Sequence, residues 1–279
     1  MSTSHEPTAP ARHPWTWRVV VLVAVVVVAV VAWLVVRGDG GGAPAASPSA
    51  TTTSAGDPTP DETGSSDAAS EPTGAAGCPA TDDGTPDGAD THEAVDVDGD
   101  GEADTAWLTG GTDRRFGITT ASGATFSVAV DSASPQRASA VVNVVAAGDG
   151  TAPIALVDTG REVLLFSAAD CDLAATQNLT GGAYTFDKGF TGHGTGVGCT
   201  EVDGALHLAG LDATSADGRS FTVTRTFVDL DDDALTAANG EESTVATDAG
   251  PDEPVVVTAQ ETSCGELAAG TDGPVEPES

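Results

Sequence analysis

The stretch Asp96-Val97-Asp98-Gly99-Asp100-Gly101-Glu102-Ala103-Asp104-Thr105-Ala106-Trp107-Leu108 sets carboxylates at alternate positions and then runs into an apolar segment. Hard cations such as calcium take roughly six to eight oxygen ligands. Acids at the first, third, fifth and ninth positions of the loop, with one backbone carbonyl, can wrap such an ion, and Gly101 permits the sharp turn. The spacing reads as a calcium loop feeding a β-strand.

Outward from this loop the chain breaks into short apolar segments separated by Gly, Asp, Ser and Asn, without a long stretch of helical period. Phe221, Val223 and Phe227 alternate with Thr222, Thr224 and Thr226, giving a strand with one apolar face interrupted by Arg225. Further strands are expected at Thr105 to Leu108, Ala124 to Val130, Ala138 to Val145, Ile154 to Val157, Glu162 to Phe166, Leu206 to Leu211 and Val255 to Thr258. The class is all-β, with no helix expected beyond residue 38.

Sliding the loop along the chain uncovers a repeat. Asp100-Gly101-Glu102-Ala103-Asp104 aligns with Asp149-Gly150-Thr151-Ala152-Pro153 and with Asp203-Gly204-Ala205-Leu206-His207, each followed by apolar residues. A fainter fourth copy begins at Gly250-Pro251-Asp252-Glu253-Pro254. Periods of about 40 to 50 residues are typical of four-stranded propeller blades.

The run Asp96-x-Asp98-x-Asp100-Gly101-x-x-Asp104 before an apolar strand resembles the calcium loop of FG-GAP and VCBS-type repeats, the units of integrin-type β-propellers. The resemblance implies that Asp96, Asp98, Asp100 and Asp104 bind Ca2+ through their side chains and Glu102 through its backbone carbonyl. The second copy has Val145 and Ala147 where the first acids belong and Pro153 at the last, and the third keeps only Glu201 and Asp203. The architecture expected is a small or incomplete β-propeller-like ectodomain, with a β-sandwich as the alternative. An EF-hand fits less well, because Trp107 stands where its bidentate Glu belongs.

Charge narrows the partners. The chain holds 10 basic and 43 acidic residues, and of these only Arg12, Arg18, Arg37 and Glu6 precede residue 38, so the remainder, with 7 basic and 42 acidic residues, carries −35 against a net charge of −33 for the whole. Such a surface repels nucleic acid and attracts cations and basic partners.

Residues Val19 to Val36 are an uninterrupted apolar run which, at about 1.5 Å per helical residue, reaches ~27 Å, enough to cross a bilayer as a helix. Trp15, Trp17 and Trp33 sit near its ends, and Arg12 and Arg18 precede it, so the charge bias places residues 1–18 in the cytoplasm and the bulk of the chain outside. A cleaved signal peptide is the competing reading. The run exceeds the roughly 7 to 15 residues of a usual signal core, and no cysteine before Cys78 could accept lipoprotein processing. Residues 37–77, rich in Gly, Ala, Ser, Thr, Pro and acids, cannot bury a core and read as a disordered tether with a reach of about 35 Å. Residues 268–279 are likewise polar and expected to be loose, which leaves 78–267 as the folded domain.

The four cysteines, Cys78, Cys171, Cys199 and Cys264, all follow the apolar run, where oxidising conditions let disulfides persist. Three connectivities are open. Cys78 opens the folded region and Cys264 closes it, and domain termini often lie together, which favours Cys78–Cys264 with Cys171–Cys199.

Other motifs carry less. Gly192 to Gly198 lacks the Lys-Ser/Thr of a phosphate loop and reads as a turn. Asp229 to Asp233 has Ala234 in place of the turn glycine and reads as a solvated turn, while Asn178-Leu179-Thr180 has the spacing of a glycosylation sequon. No Gly-x-Ser-x-Gly elbow occurs, and His92-Glu93 is not followed by a metalloprotease histidine. The reading is a membrane-anchored, calcium-stabilised binding or scaffold protein, not an enzyme, whose partner is an envelope protein or glycan. The rival is an envelope hydrolase acting on glycans through two carboxylates on the same β scaffold.

Overall fold

Consecutive apolar residues, such as Ala140 to Val142 and Ile154 to Val157, belong to strands buried on both faces, since a strand with one wet face alternates. These runs form the middle of the molecule. The structure, a computed structural model, describes residues 77–189 and 195–278. The apolar run at 19–36, the segment before it and residues 37–76 of the tether lie outside the described residues.

The described chain is all-β and lays down three antiparallel meanders in succession. The first is β1 (Asp90–Glu93), β2 (Thr105–Leu108), β3 (Arg115–Thr119) and β4 (Thr125–Ala129), paired in that order. The second comprises β5 (Ser139–Ala147), β6 (Gly150–Asp158) and β7 (Glu162–Ser167), flanked by the two-residue β8 (Ala174–Ala175). After β9 (Gln177–Asn178), which leaves to pair in parallel with the third sheet, β10 (Thr185–Asp187) completes the order β10-β7-β6-β5. The third is β11 (Thr195–Val202), β12 (Ala205–Thr214), β13 (Phe221–Leu230) and β14 (Thr236–Ala249), again in order. A short helix α1 (Pro254–Thr258) and the hairpin β15 (Ser263–Cys264) and β16 (Leu267–Ala268) follow. None of the sheets closes on itself.

Period-two alternation divides the core. Val141, Val145, Ile154, Leu156 and Leu165 of the second sheet pack with Leu208, Val228 and Leu230 of the third. From the opposite face, Ala140, Val142, Ala155, Val157 and Phe166 pack with Leu108, Phe116 and Ile118 of the first. Trp107 is 1% exposed. It pairs across strands with Gly117, where any side chain would collide with its indole.

All three aligned Asp-Gly turns fall between the first and second strands of a meander: Asp100-Gly101 between β1 and β2, Asp149-Gly150 at the β5–β6 turn, Asp203-Gly204 between β11 and β12. The fourth copy differs. Val255 to Thr258 is not a strand but most of α1, so the expectation of no helix past residue 38 also fails. Pro254, at its first turn, has no N–H to give a ladder and a φ already suited to a helix, and Val256 is buried against Leu211, Phe221 and Val223.

Gly196 and Gly198, read as part of a turn, lie in β11, while residues 192–194 lie outside the described residues. A Cβ on Gly196 would stand 2.6 Å from the Glu261 carbonyl oxygen, so glycine here lets the chain before β15 cross β11 at close range.

The disulfides are Cys78–Cys171 and Cys199–Cys264, not the expected Cys78–Cys264 and Cys171–Cys199. The cause is where the ends go. Cys78 is held beside the first sheet through Asp98, whereas Cys264 belongs to the hairpin lying along β11.

The tail is not loose either. Backbone hydrogen bonds from Ala140 to the Pro274 carbonyl and from Glu276 to the Ala138 carbonyl lay it along the free edge of β5. Glu276, 8% exposed, accepts from the Ala138 amide at 2.9 Å and from Arg114 at 3.1 Å. Composition misses this because main-chain pairing and one buried ion pair, not apolar side chains, hold the segment. Glu276→Ala strands Arg114 and an amide, and is expected to cost about 2–3 kcal/mol in urea unfolding. A loose tail would cost nothing.

Candidate metal centre

Between β1 and β2 the chain needs eleven residues to turn, and Gly99 and Gly101 do so at φ of 74° and 92°. Asp96 organises the turn, its two carboxylate oxygens accepting from the Gly99 amide at 2.7 Å and the Gly101 amide at 2.9 Å. Such Asx-type closures are what a short carboxylate does for an exposed turn.

Asp104 stands at the entry to β2 and is 1% exposed. It accepts from Val97 N at 2.7 Å within its own loop and from Ala121 N at 2.9 Å in the β3–β4 turn. Burial pushes its carboxyl above the ordinary value; the two amides oppose this, and repulsion from Asp98 and Asp96 adds to the rise. Asp98 reaches the other way. Its Oδ2 accepts from Cys78 N at 2.7 Å and lies 2.7 Å from Ser122 Oγ. Burial raises its pKa, but the hydrogen bonds led by the Cys78 amide and the Ser122 hydroxyl outweigh that and hold it below the ordinary value.

Oxygen atoms of Asp96, Asp98 and Asp104 lie within 4.8 Å of one another. The Asp100 carboxylate falls outside this cluster, while Glu102 is expected to contribute its backbone carbonyl, which a side-chain cluster does not include. The Asp100 Oδ1 accepts the Glu102 amide at 2.8 Å, and Glu102 is exposed. The side-chain donors that converge are therefore three carboxylates, oxygen only. Each oxygen already takes at least one proton; Asp98 Oδ2 takes two, from Cys78 N and Ser122 Oγ, while the oxygens with a single donor keep a lone pair. That chemistry fits a hard divalent cation of the calcium or magnesium kind and offers nothing to a thiophilic metal. The ion pairs Arg114–Glu276, Arg137–Glu278 and Lys188–Asp158 are all elsewhere, so none of them offsets the charge here.

Sequence reasoning missed the supports: Cys78, Ala121 and Ser122 are distant in the chain, and no spacing marks them. The Cys78–Cys171 disulfide thus anchors the same amide that holds Asp98.

The other candidates have local roles. In the Asp229 to Asp233 turn, Asp231 accepts from Thr236 N at 2.8 Å and Asp232 from Asp149 N at 3.2 Å. The Asn178 side chain caps its own turn, accepting from Thr180 and Gly182 amides. His92 and Glu93 lie on β1. Among the described residues no helix is long and apolar enough to cross a membrane.

No protein-family model, curated protein or solved structure matches this chain. Its class is therefore defined by fold alone, an all-β protein of several largely antiparallel, open sheets with two disulfides. The function is argued from the loop.

Proposed function

We propose that the chain is a single-pass, cell-envelope binding or scaffold protein whose extracytoplasmic β domain is propeller-like, built of repeats of the FG-GAP/VCBS kind, and stabilised by calcium. The observation that carries the metal assignment is the convergence of Asp96, Asp98 and Asp104 in one loop, with backbone amides fixing each carboxylate. The repeat is supported by the common place of the three Asp-Gly turns, each lying between the first and second strands of an antiparallel meander. With three carboxylates crowded together, the loop gains from an ion that binds only the folded state. Its part is structural: the ion would neutralise the acids and lock β1–β2 to the β3–β4 turn through Asp104.

The anchor rests on residues 19–36, and the external domain agrees with having all four cysteines oxidised. Protease added to intact cells should remove residues 78–279 and leave a membrane-bound N-terminal fragment. Protection of the domain until lysis, or a mature N-terminus after Val36, would overturn the orientation. The partner class is an envelope protein or glycan.

A further inference from the structure

Away from the loop, two clefts of about 270 Å³ each meet at β10, the edge strand of the second sheet, and Tyr184 and Thr185 line both. Tyr184 is the chain's one tyrosine. Its hydroxyl donates to Asn239 Oδ1 at 2.6 Å, and its ring meets Phe186 edge-on at 5.3 Å between centroids. Burial, then the charge of Asp229, pushes its pKa up, so the phenol stays a donor at neutral pH. Phe186 in turn lies over Gly210, where a Cβ would be 3.5 Å from the ring. A half-buried aromatic side chain is thus fixed at both its polar and its apolar end.

The facing wall comes from the third sheet. Asp212 and Thr224 pair across β12 and β13, as do Gly210 and Thr226, which puts Asp212, Thr224 and Thr226 on the cleft side. Among the described residues the side chains of these three make no hydrogen bond, although each is partly buried. Asp187, exposed, stands at the rim. Among the described residues no Lys or Arg lines this cleft, and its charged groups are the carboxylates of Asp187 and Asp212, so an anionic ligand is disfavoured. Unused acceptors and hydroxyls converging beside a rigid aromatic ring are how a pocket orients a small polar ligand. Carboxylates accept pairs of hydroxyl protons, threonines give and take one, and the tyrosine ring covers an apolar C–H face. The second cleft, lined by Val128, Leu164 and Phe166, continues past Tyr184 with apolar walls suited to the C–H face of an adjoining unit.

We infer that the Tyr184 cleft between β10 and the β12–β13 face binds a neutral oligosaccharide, the tyrosine stacking on one sugar ring while Asp212, Thr224 and Thr226 take its hydroxyls. This rests on the binding-module reading above and chooses the glycan among its partners.

Full-length protein in detergent is titrated calorimetrically with cello-, manno- and chito-hexaose in about 1 mM calcium. At least one should bind with a Kd of ~1 mM or tighter. Tyr184→Ala should weaken that binding ~10-fold or more. Thr224→Val, a β-branched isostere suited to mid-strand, should weaken it by about 3- to 10-fold while melting normally, and so carries the test should Tyr184→Ala unfold. The inference is overturned if none of the three binds up to ~10 mM, if both variants bind like wild type, or if oligolysine takes the cleft more tightly than any sugar. Melting in calcium and in chelator on the same samples separates the two ideas. A calcium-dependent rise without sugar binding sinks the cleft and leaves the metal loop standing; sugar binding without the rise does the reverse.

Discussion

Asp98→Asn should abolish most of the calcium-dependent rise in melting temperature, while Asp100→Asn leaves it nearly whole. An ion that binds only the folded state adds RT ln(1 + [L]/Kd), about 2.7 kcal/mol at a hundredfold excess over Kd. Extracellular sites commonly have Kd values of ~0.1–1 mM, so millimolar titration is the relevant range. For a domain of this size that corresponds to a rise of roughly 5–10 °C. Asp98 lies in the oxygen cluster and Asp100 does not, so the two neutralisations, two residues apart, part company. The loop spacing alone would have them behave alike. Because neighbours hold the Asp98 carboxyl below its ordinary pKa, its charged form is the one the fold favours, and Asp98→Asn should also melt somewhat lower in chelator. Asp232→Ala should leave the calcium increment intact, its carboxylate accepting the Asp149 amide in another turn. Magnesium should substitute poorly, since it demands a tighter shell and gives up water reluctantly. Equal melting curves for the wild type in millimolar calcium and in chelator would reduce the loop to a solvated acidic turn.

The second large effect separates the disulfides. Replacing Cys78 and Cys171 together by Ser opens a span of 93 residues, and on the chain-entropy model costs about 4.6 kcal/mol. The same change at Cys199 and Cys264 opens 65 residues and costs about 4.3 kcal/mol. Melting should therefore fall by more than ~10 °C in both. Calcium tells them apart. Cys78 donates its amide to Asp98, and its carbonyl lies 2.8 Å from the Ser122 hydroxyl. Freeing the chain at Cys78 should shrink the calcium-dependent rise, whereas freeing β15 from β11 should not. Full retention of the rise in both variants would mean that the bridge and the loop are independent.

The legible parts of the fold were those set by neighbouring residues. Apolar alternation at Phe221 to Phe227 and the Val-rich stretch at Ala138 to Val145 mark strands because a side chain's face follows from its parity alone. The 14-residue β14 escaped because Thr236 to Ala249 is polar and irregular; it forms by pairing with β13 across register shifts, and its partner supplies what its own sequence lacks. β11 escaped for the opposite reason, its glycines being required by a chain that crosses from residues 259–262.

By itself the sequence determined the all-β class, the presence of an acid-rich loop before a strand, and Asp-Gly turns followed by strands. These depend on parity and on the conformations Asp and Gly allow, which are local properties. Only the tertiary structure decided which acids converge, which cysteines pair and where the tail lies. Asp104 joins the cluster through the Ala121 amide, Asp98 through Cys78, and Glu276 finds Arg114 across 162 positions of chain. Such contacts are made by packing three sheets on one another, and spacing along the chain carries no record of them.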